Sequence, residues 1–131
     1  MPQTNANSYK ALVVWQKGMG LAKQVYQLTE TFPASEKYGL VAQMRRAGVS
    51  VPSNIAEGQA RRSRREFIQF VFHAEGSAAE LEMQLILSTE LGYCSGARVR
   101  ATLDLIEEVR KMLFALRRRL ATINSQLTTH N

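Results

Sequence analysis

The segment from Gln43 to Gly58, QMRRAGVSVPSNIAEG, constrains the fold of this chain more than any other, because it reads as one amphipathic helix with a proline in its interior. An interior proline removes a backbone hydrogen bond and drives its ring toward the carbonyl of residue i−4, at a cost of about 3 kcal/mol. That residue is Gly48, which leaves room for a bend. Leu40, Met44, Ala47, Val51, Ile55 and Gly58 keep one apolar stripe running through Pro52, while Gln43, Arg46, Ser50, Ser53 and Glu57 keep a polar one. The expectation is a single kinked helix, not two.

Around it the chain divides into helices. A first helix is expected from about Leu12 to Thr31, stopped by Phe32-Pro33, and the kinked helix from about Ser35 to Gly58, with glycine suited to a left-handed end. Ser63-Arg64-Arg65-Glu66 has the spacing of a capping box, so a third helix should run from Arg64 to about Leu91. Gly92 to Gly96 makes the next turn, with Ser95 as a cap. In the last helix Val99, Ile106, Leu113, Leu120 and Leu127 recur as a heptad, and Thr102, Val109, Leu116 and Ile123 follow each of the first four at the d position. Sustained heptads require shallow left-handed crossings. The predicted architecture is therefore all-α, an antiparallel up-down-up-down four-helix bundle over residues 11–127, with a disordered tail at 1–10 and a short one at 128–131.

Composition narrows the function. With 131 residues the chain is one domain able to bury a core without metals or disulfides, and the single Cys94 has no internal partner. No leader or membrane span is indicated, so a cytoplasmic location is expected. A catalytic constellation is missing: His73 and His130 are the two histidines, no glutamate has a histidine three residues on, and no phosphate loop or zinc pattern occurs. The chain is expected to be no enzyme and to hold no metal or cofactor.

Charge and excess apolar surface carry the functional signal. Seventeen basic residues against eleven acidic ones give +6, concentrated in Arg61, Arg62, Arg64 and Arg65 and again in Arg117, Arg118 and Arg119. Such clusters attract polyanions by counterion release, which nominates all seven for RNA or DNA. An acidic protein partner would meet the same arginines, and for the second cluster a solvated helix end favoured by the macrodipole is the plain reading. Trp15, Tyr26 and most of the phenylalanines fall on apolar stripes and are expected in the core, which argues against sequence-specific recognition of single-stranded RNA.

On the third helix Phe67, Phe70, Val71, Ala74, Ala78, Leu81 and Leu85 form one stripe, and Ile68, Phe72, Ala79, Met83 and Ile86 form a second, centred about 120° away. A bundle core consumes one of these, so the second is predicted to be an oligomer interface. The polar face of the kinked helix, Arg45, Arg46, Ser50, Asn54 and Glu57, serves either assembly or ligand binding. In the assembly reading Arg46 and Glu57 meet charged partners such as Glu75, Glu80 or Glu82.

Gln43, Arg45, Arg46, Ala47, Ser50, Val51, Pro52, Asn54, Ile55, Ala56, Glu57 and Gly58, with Val14-Trp15-Gln16-Lys17 upstream and Glu66-Phe67-Ile68-Gln69-Phe70 downstream, resemble the four-helix-bundle family encoded in intervening sequences of bacterial large-subunit ribosomal RNA genes. More remotely the chain is similar to accessory variability proteins of diversity-generating retroelements, which partner a reverse transcriptase and nucleic acid. The resemblance implies a ring-shaped homopentamer. Five copies would gather a charge of about +30 on one particle and strengthen any field acting on a polyanion.

Overall fold

The computed structural model describes residues 8–129, with side chains to Thr122. Four long helices follow one another: α1 (Val13–Thr29), α2 (Leu40–Ala60), α3 (Arg64–Glu90) and α4 (Gly96–Thr129). No strand occurs among the described residues. Each helix packs on two others, α1 and α3 both lying against α2 and α4, and the backbones of the diagonal pairs do not approach closely. Residue numbers rise along one helix as they fall along its neighbour. Glu75 meets Arg117 and Glu82 meets Arg110 across α3 and α4, and Lys17 meets Glu108 while Gln24 meets Thr102 across α1 and α4. The bundle is thus antiparallel and up-down-up-down, as the heptads require.

The core follows the stripes. Val99, Ile106, Val109, Leu113, Leu116 and Leu120 of α4 are buried, against Val14, Leu21, Val25 and Leu28 of α1, Met44, Val51 and Ile55 of α2, and Val71, Ala74, Leu81 and Leu85 of α3. Thr102, the polar break in the heptad, is buried too, and its hydroxyl donates to Gln24 Oε1 at 2.9 Å. A buried hydroxyl so satisfied avoids the desolvation penalty of an orphan. Ile123 and Leu127 of the heptad lie outside the described side chains.

Several boundaries differ from the sequence expectation. The chain does not enter α2 at Ser35: Ala34–Glu36 forms one turn of 3-10 helix, and α2 begins at Leu40, after Gly39. Glu36 is the cause, because its Oε1 accepts from the Leu40 N–H at 3.2 Å and its Oε2 from the Tyr93 hydroxyl at 2.9 Å. One carboxylate thereby caps α2 and ties together the two loops at this end of the bundle. Residues 8–10, expected in the disordered tail, include Ser8, which caps a short 3-10 turn at Tyr9–Ala11; residues 1–7 lie outside the described residues. At the other end α4 continues to Thr129, into the expected 128–131 tail.

Helix α2 runs unbroken through Pro52, as predicted. The buried ring lies against α1 beside Gly18, where an added Cβ would stand in ordinary van der Waals contact at 3.6 Å from the proline Cβ and Cδ. Gly58 differs from the expectation. It does not terminate α2, which ends at Ala60, and its φ is not positive; it is instead a close approach of α2 to α3, since an added Cβ would fall 2.8 Å from both Phe67 Cδ1 and Phe70 Cβ.

Candidate nucleic-acid interface

Three residues, 61–63, join α2 to α3, and they turn the first arginine cluster into an exposed corner. The Arg61 guanidinium lies over the Phe70 ring at 4.8 Å and reaches Glu57 at 3.9 Å. Arg62, Arg64 and Arg65 are exposed and make no ion pair among the described residues. Ser63 caps α3 as expected, its Oγ accepting from the Glu66 N–H at 3.1 Å. Arg64 and Arg65 then occupy the first turn of α3, where the helix dipole is positive. Cations there oppose the dipole by about 0.3–1 kcal/mol each, so the local fold gains nothing from them.

The second cluster behaves differently. α4 extends to Thr129, more than a turn past Arg119, so the macrodipole does not account for Arg117, Arg118 and Arg119. Arg117 grips Glu75 of α3 with Nε at 2.6 Å and a second nitrogen at 3.3 Å, and the two side chains are only 22% and 20% exposed. Its guanidinium also lies 4.3 Å from the Phe72 ring centre and 5.1 Å from that of Phe114. Arg118 rests on Phe114 at 5.8 Å, and Arg119 is exposed. Arg117 is a joint between helices, not a free phosphate contact.

The polar face of α2 separates into distinct jobs. Arg45 turns toward α1, donating from Nε to Thr29 Oγ1 at 3.0 Å and from a terminal nitrogen to the Tyr26 carbonyl at 3.3 Å, and stacks over the Tyr26 ring at 4.5 Å. It therefore caps the C-terminal end of α1 with a cation, which the dipole favours. The Ser50 and Ser77 hydroxyls meet at 2.8 Å across α2 and α3, and Asn54 Nδ2 donates to the Ser50 carbonyl at 2.8 Å and to Ser50 Oγ at 2.9 Å. Arg46 is exposed without an ion pair among the described residues, and Glu57 faces Arg61. The carboxylates expected to meet them are engaged elsewhere: Glu75 with Arg117, Glu82 with Arg110, and Glu80 with the Gln84 amide.

The second stripe of α3 stands outside the core. Phe72, Met83 and Ile86 are 50%, 55% and 48% exposed, with Ile68 and Ala79 half-buried beside them. On the opposite side of the bundle, Tyr9, Trp15, Met19, Ala22, Tyr26, Val49, Pro52 and Ala56 line a groove of about 540 Å³ between α1 and α2. Tyr26 is 45% exposed there, contrary to its expected place in the core. The 100° geometry places Trp15, Met19 and Tyr26 on one face, but α2 covers that face only in part.

Elsewhere the chemistry is sparse. Burial pushes the Cys94 thiol above its ordinary range, with an opposing contact to the Thr89 hydroxyl, and such a thiol is a poor nucleophile. No group of His, Cys, Asp and Glu able to hold a metal ion occurs among the described residues, and His130 lies outside them. No helix among them is long and apolar enough to cross a membrane.

These features define a basic helical bundle whose assets are surfaces. The family model described as the 23S rRNA-intervening sequence protein matches residues 10–115, and the chain belongs to that family. A solved structure from Bacteroides thetaiotaomicron, a protein of unknown function from the S23 ribosomal protein family, is similar in fold, with a TM-score of 0.75 and 25% identity over 81% of this chain and 96% of that one. No curated protein matches the chain.

Proposed function

We propose that this protein is a non-catalytic, cytoplasmic, self-assembling scaffold that binds RNA through basic surfaces. The observation that carries the reading is the α2–α3 corner, where Arg62, Arg64 and Arg65 stand exposed and unpaired at the positive end of α3. Arginines that oppose the local dipole and serve no neighbour are suited to an external anion, and the helix start adds its own amides to the field. Self-association, with the pentamer of the family resemblance as its form, is supported by the exposed Phe72, Met83 and Ile86 on α3.

Binding should be electrostatic, with affinity falling steeply as salt rises at a log–log slope of about −0.7 to −0.9 per phosphate neutralised. Replacing Arg61, Arg62, Arg64 and Arg65 with glutamine should flatten that slope far more than replacing Arg117, Arg118 and Arg119. No retardation of RNA or DNA at low salt would overturn the reading in favour of an acidic protein partner. For assembly, Phe72→Glu with Met83→Glu should reduce the mass seen in light scattering to that of a folded monomer, since each charge buried in an interface costs several kcal/mol. A wild-type protein that is already a monomer would remove assembly from the proposal.

A further inference from the structure

The groove between α1 and α2 shares Tyr26, Val49 and Ser53 with a second groove lined also by Lys37, Tyr38, Arg45 and Arg46. Lys23 stands on the edge of the first. Together these walls carry Lys23, Lys37, Arg45 and Arg46 and, among the described residues, no carboxylate. Glu30 lines an adjoining cleft that Lys37 and Arg45 also border. Lys23, Lys37 and Arg46 form no ion pair among the described residues, so their charge is uncommitted.

Between the cations stand aromatic rings with exposed area: Tyr26 and Tyr38 lie outside the core, while Trp15 is half-buried against it. Tyr38 is 88% exposed with the Lys37 ammonium 5.5 Å from its centre, Tyr26 is 45% exposed beneath Arg45, and Trp15 meets Tyr9 edge-on at 5.2 Å. An exposed tyrosine flanked by lysine costs a soluble surface apolar area with no internal return, whereas a nucleobase would cover it. From Trp15 to Tyr26 the face spans about 16 Å of helix, the length of about five stacked bases at ~3.4 Å each.

We infer that this face is a binding track for single-stranded RNA, with bases stacked on Tyr38, Tyr26 and the Trp15 side of the groove and phosphates held by Lys23, Lys37 and Arg46. The inference rests on the proposed RNA binding and adds a site and a strand class to it: the α2–α3 corner attracts any polyanion, while rings demand unpaired bases. Duplex RNA keeps its bases stacked internally and gains nothing from the tyrosines.

Trp15 is the one tryptophan of the chain, so its fluorescence reports occupancy of the groove directly. Titration with a short oligoadenylate should quench it and saturate, and a duplex of equal length should bind about ten-fold more weakly. Tyr38→Ala should weaken oligoadenylate binding about ten-fold, the size of one lost base stack, and Lys23→Gln with Lys37→Gln should do likewise. Tyr38 makes no core contact, so that variant should keep the wild-type thermal midpoint. The Arg61, Arg62, Arg64 and Arg65 glutamine variant should still show quenching at low salt. If RNA binds without changing Trp15 emission and Tyr38→Ala binds as wild type, the track is overturned and the corner reading stands. If no RNA binds, both fall; if an acidic helical peptide quenches Trp15 and oligoadenylate does not, the groove serves a protein partner and the track is again overturned.

Discussion

In each of two arginine clusters that look alike in sequence one guanidinium meets a carboxylate, but the two anchors differ in strength and place. At 61–65 the chain is turning, and three of the four guanidinium groups meet no carboxylate; at 117–119 the chain is mid-helix, and the first arginine is clamped between Glu75, Phe72 and Phe114. Charge density alone does not distinguish free guanidinium groups from a structural joint. What separates them is whether a neighbouring helix presents a partner at the same height along the bundle.

The contrast can be broken most severely at Gly58, which places the free cluster without contributing charge. Gly58→Ala forces a Cβ to within 2.8 Å of Phe70 Cβ, so α2 and α3 must part at the corner, and a loss of about 3 kcal/mol is expected in urea denaturation. An unchanged midpoint would mean that the corner yields freely. Next in size, Arg117→Ala should cost about 2 kcal/mol by leaving Glu75 unpaired and removing the guanidinium from two rings. A double-mutant cycle with Glu75→Gln should then return a coupling of about 1 kcal/mol, and additive losses would show that the rings, not the carboxylate, hold Arg117. The smallest effect has the opposite sign: Arg64→Ala should raise stability by about 0.5 kcal/mol because it relieves the dipole. A destabilised Arg64→Ala would mean that this arginine is structural and the two clusters are alike after all.

The parts of the fold set by local periodicity were legible in the sequence. The α4 heptad, the passage of α2 through Pro52 and the Ser63 cap each depend on residues within a turn or two of one another. What escaped depends on partners far along the chain. Glu36 closes the start of α2 through Leu40 but is also fixed by Tyr93, 57 residues away. Gly58 has the composition of a helix end and the role of a contact, which only the position of Phe67 and Phe70 reveals. For Arg117 the deciding carboxylate is 42 residues distant, and for Tyr26 exposure depends on how far α2 reaches over α1. The candidate site was legible as arginine clusters; that Glu75 engages Arg117 was not.

Three of the four helix seams join successive helices, and the fourth returns α4 to α1. Thr102 and Gln24 on that last seam are 78 residues apart, whereas Arg45 and Thr29 on the α1–α2 seam are separated by 16. Chain entropy makes the distant pairing the harder one to close, although the added cost grows only slowly with length. Folding should accordingly begin with the hairpins and finish when α4 swings onto α1. Thr102→Val is then expected to speed unfolding and leave the folding rate nearly untouched, while Arg45→Ala slows folding. If stopped-flow kinetics gave the two variants equal retardation of folding, the bundle would close as one event.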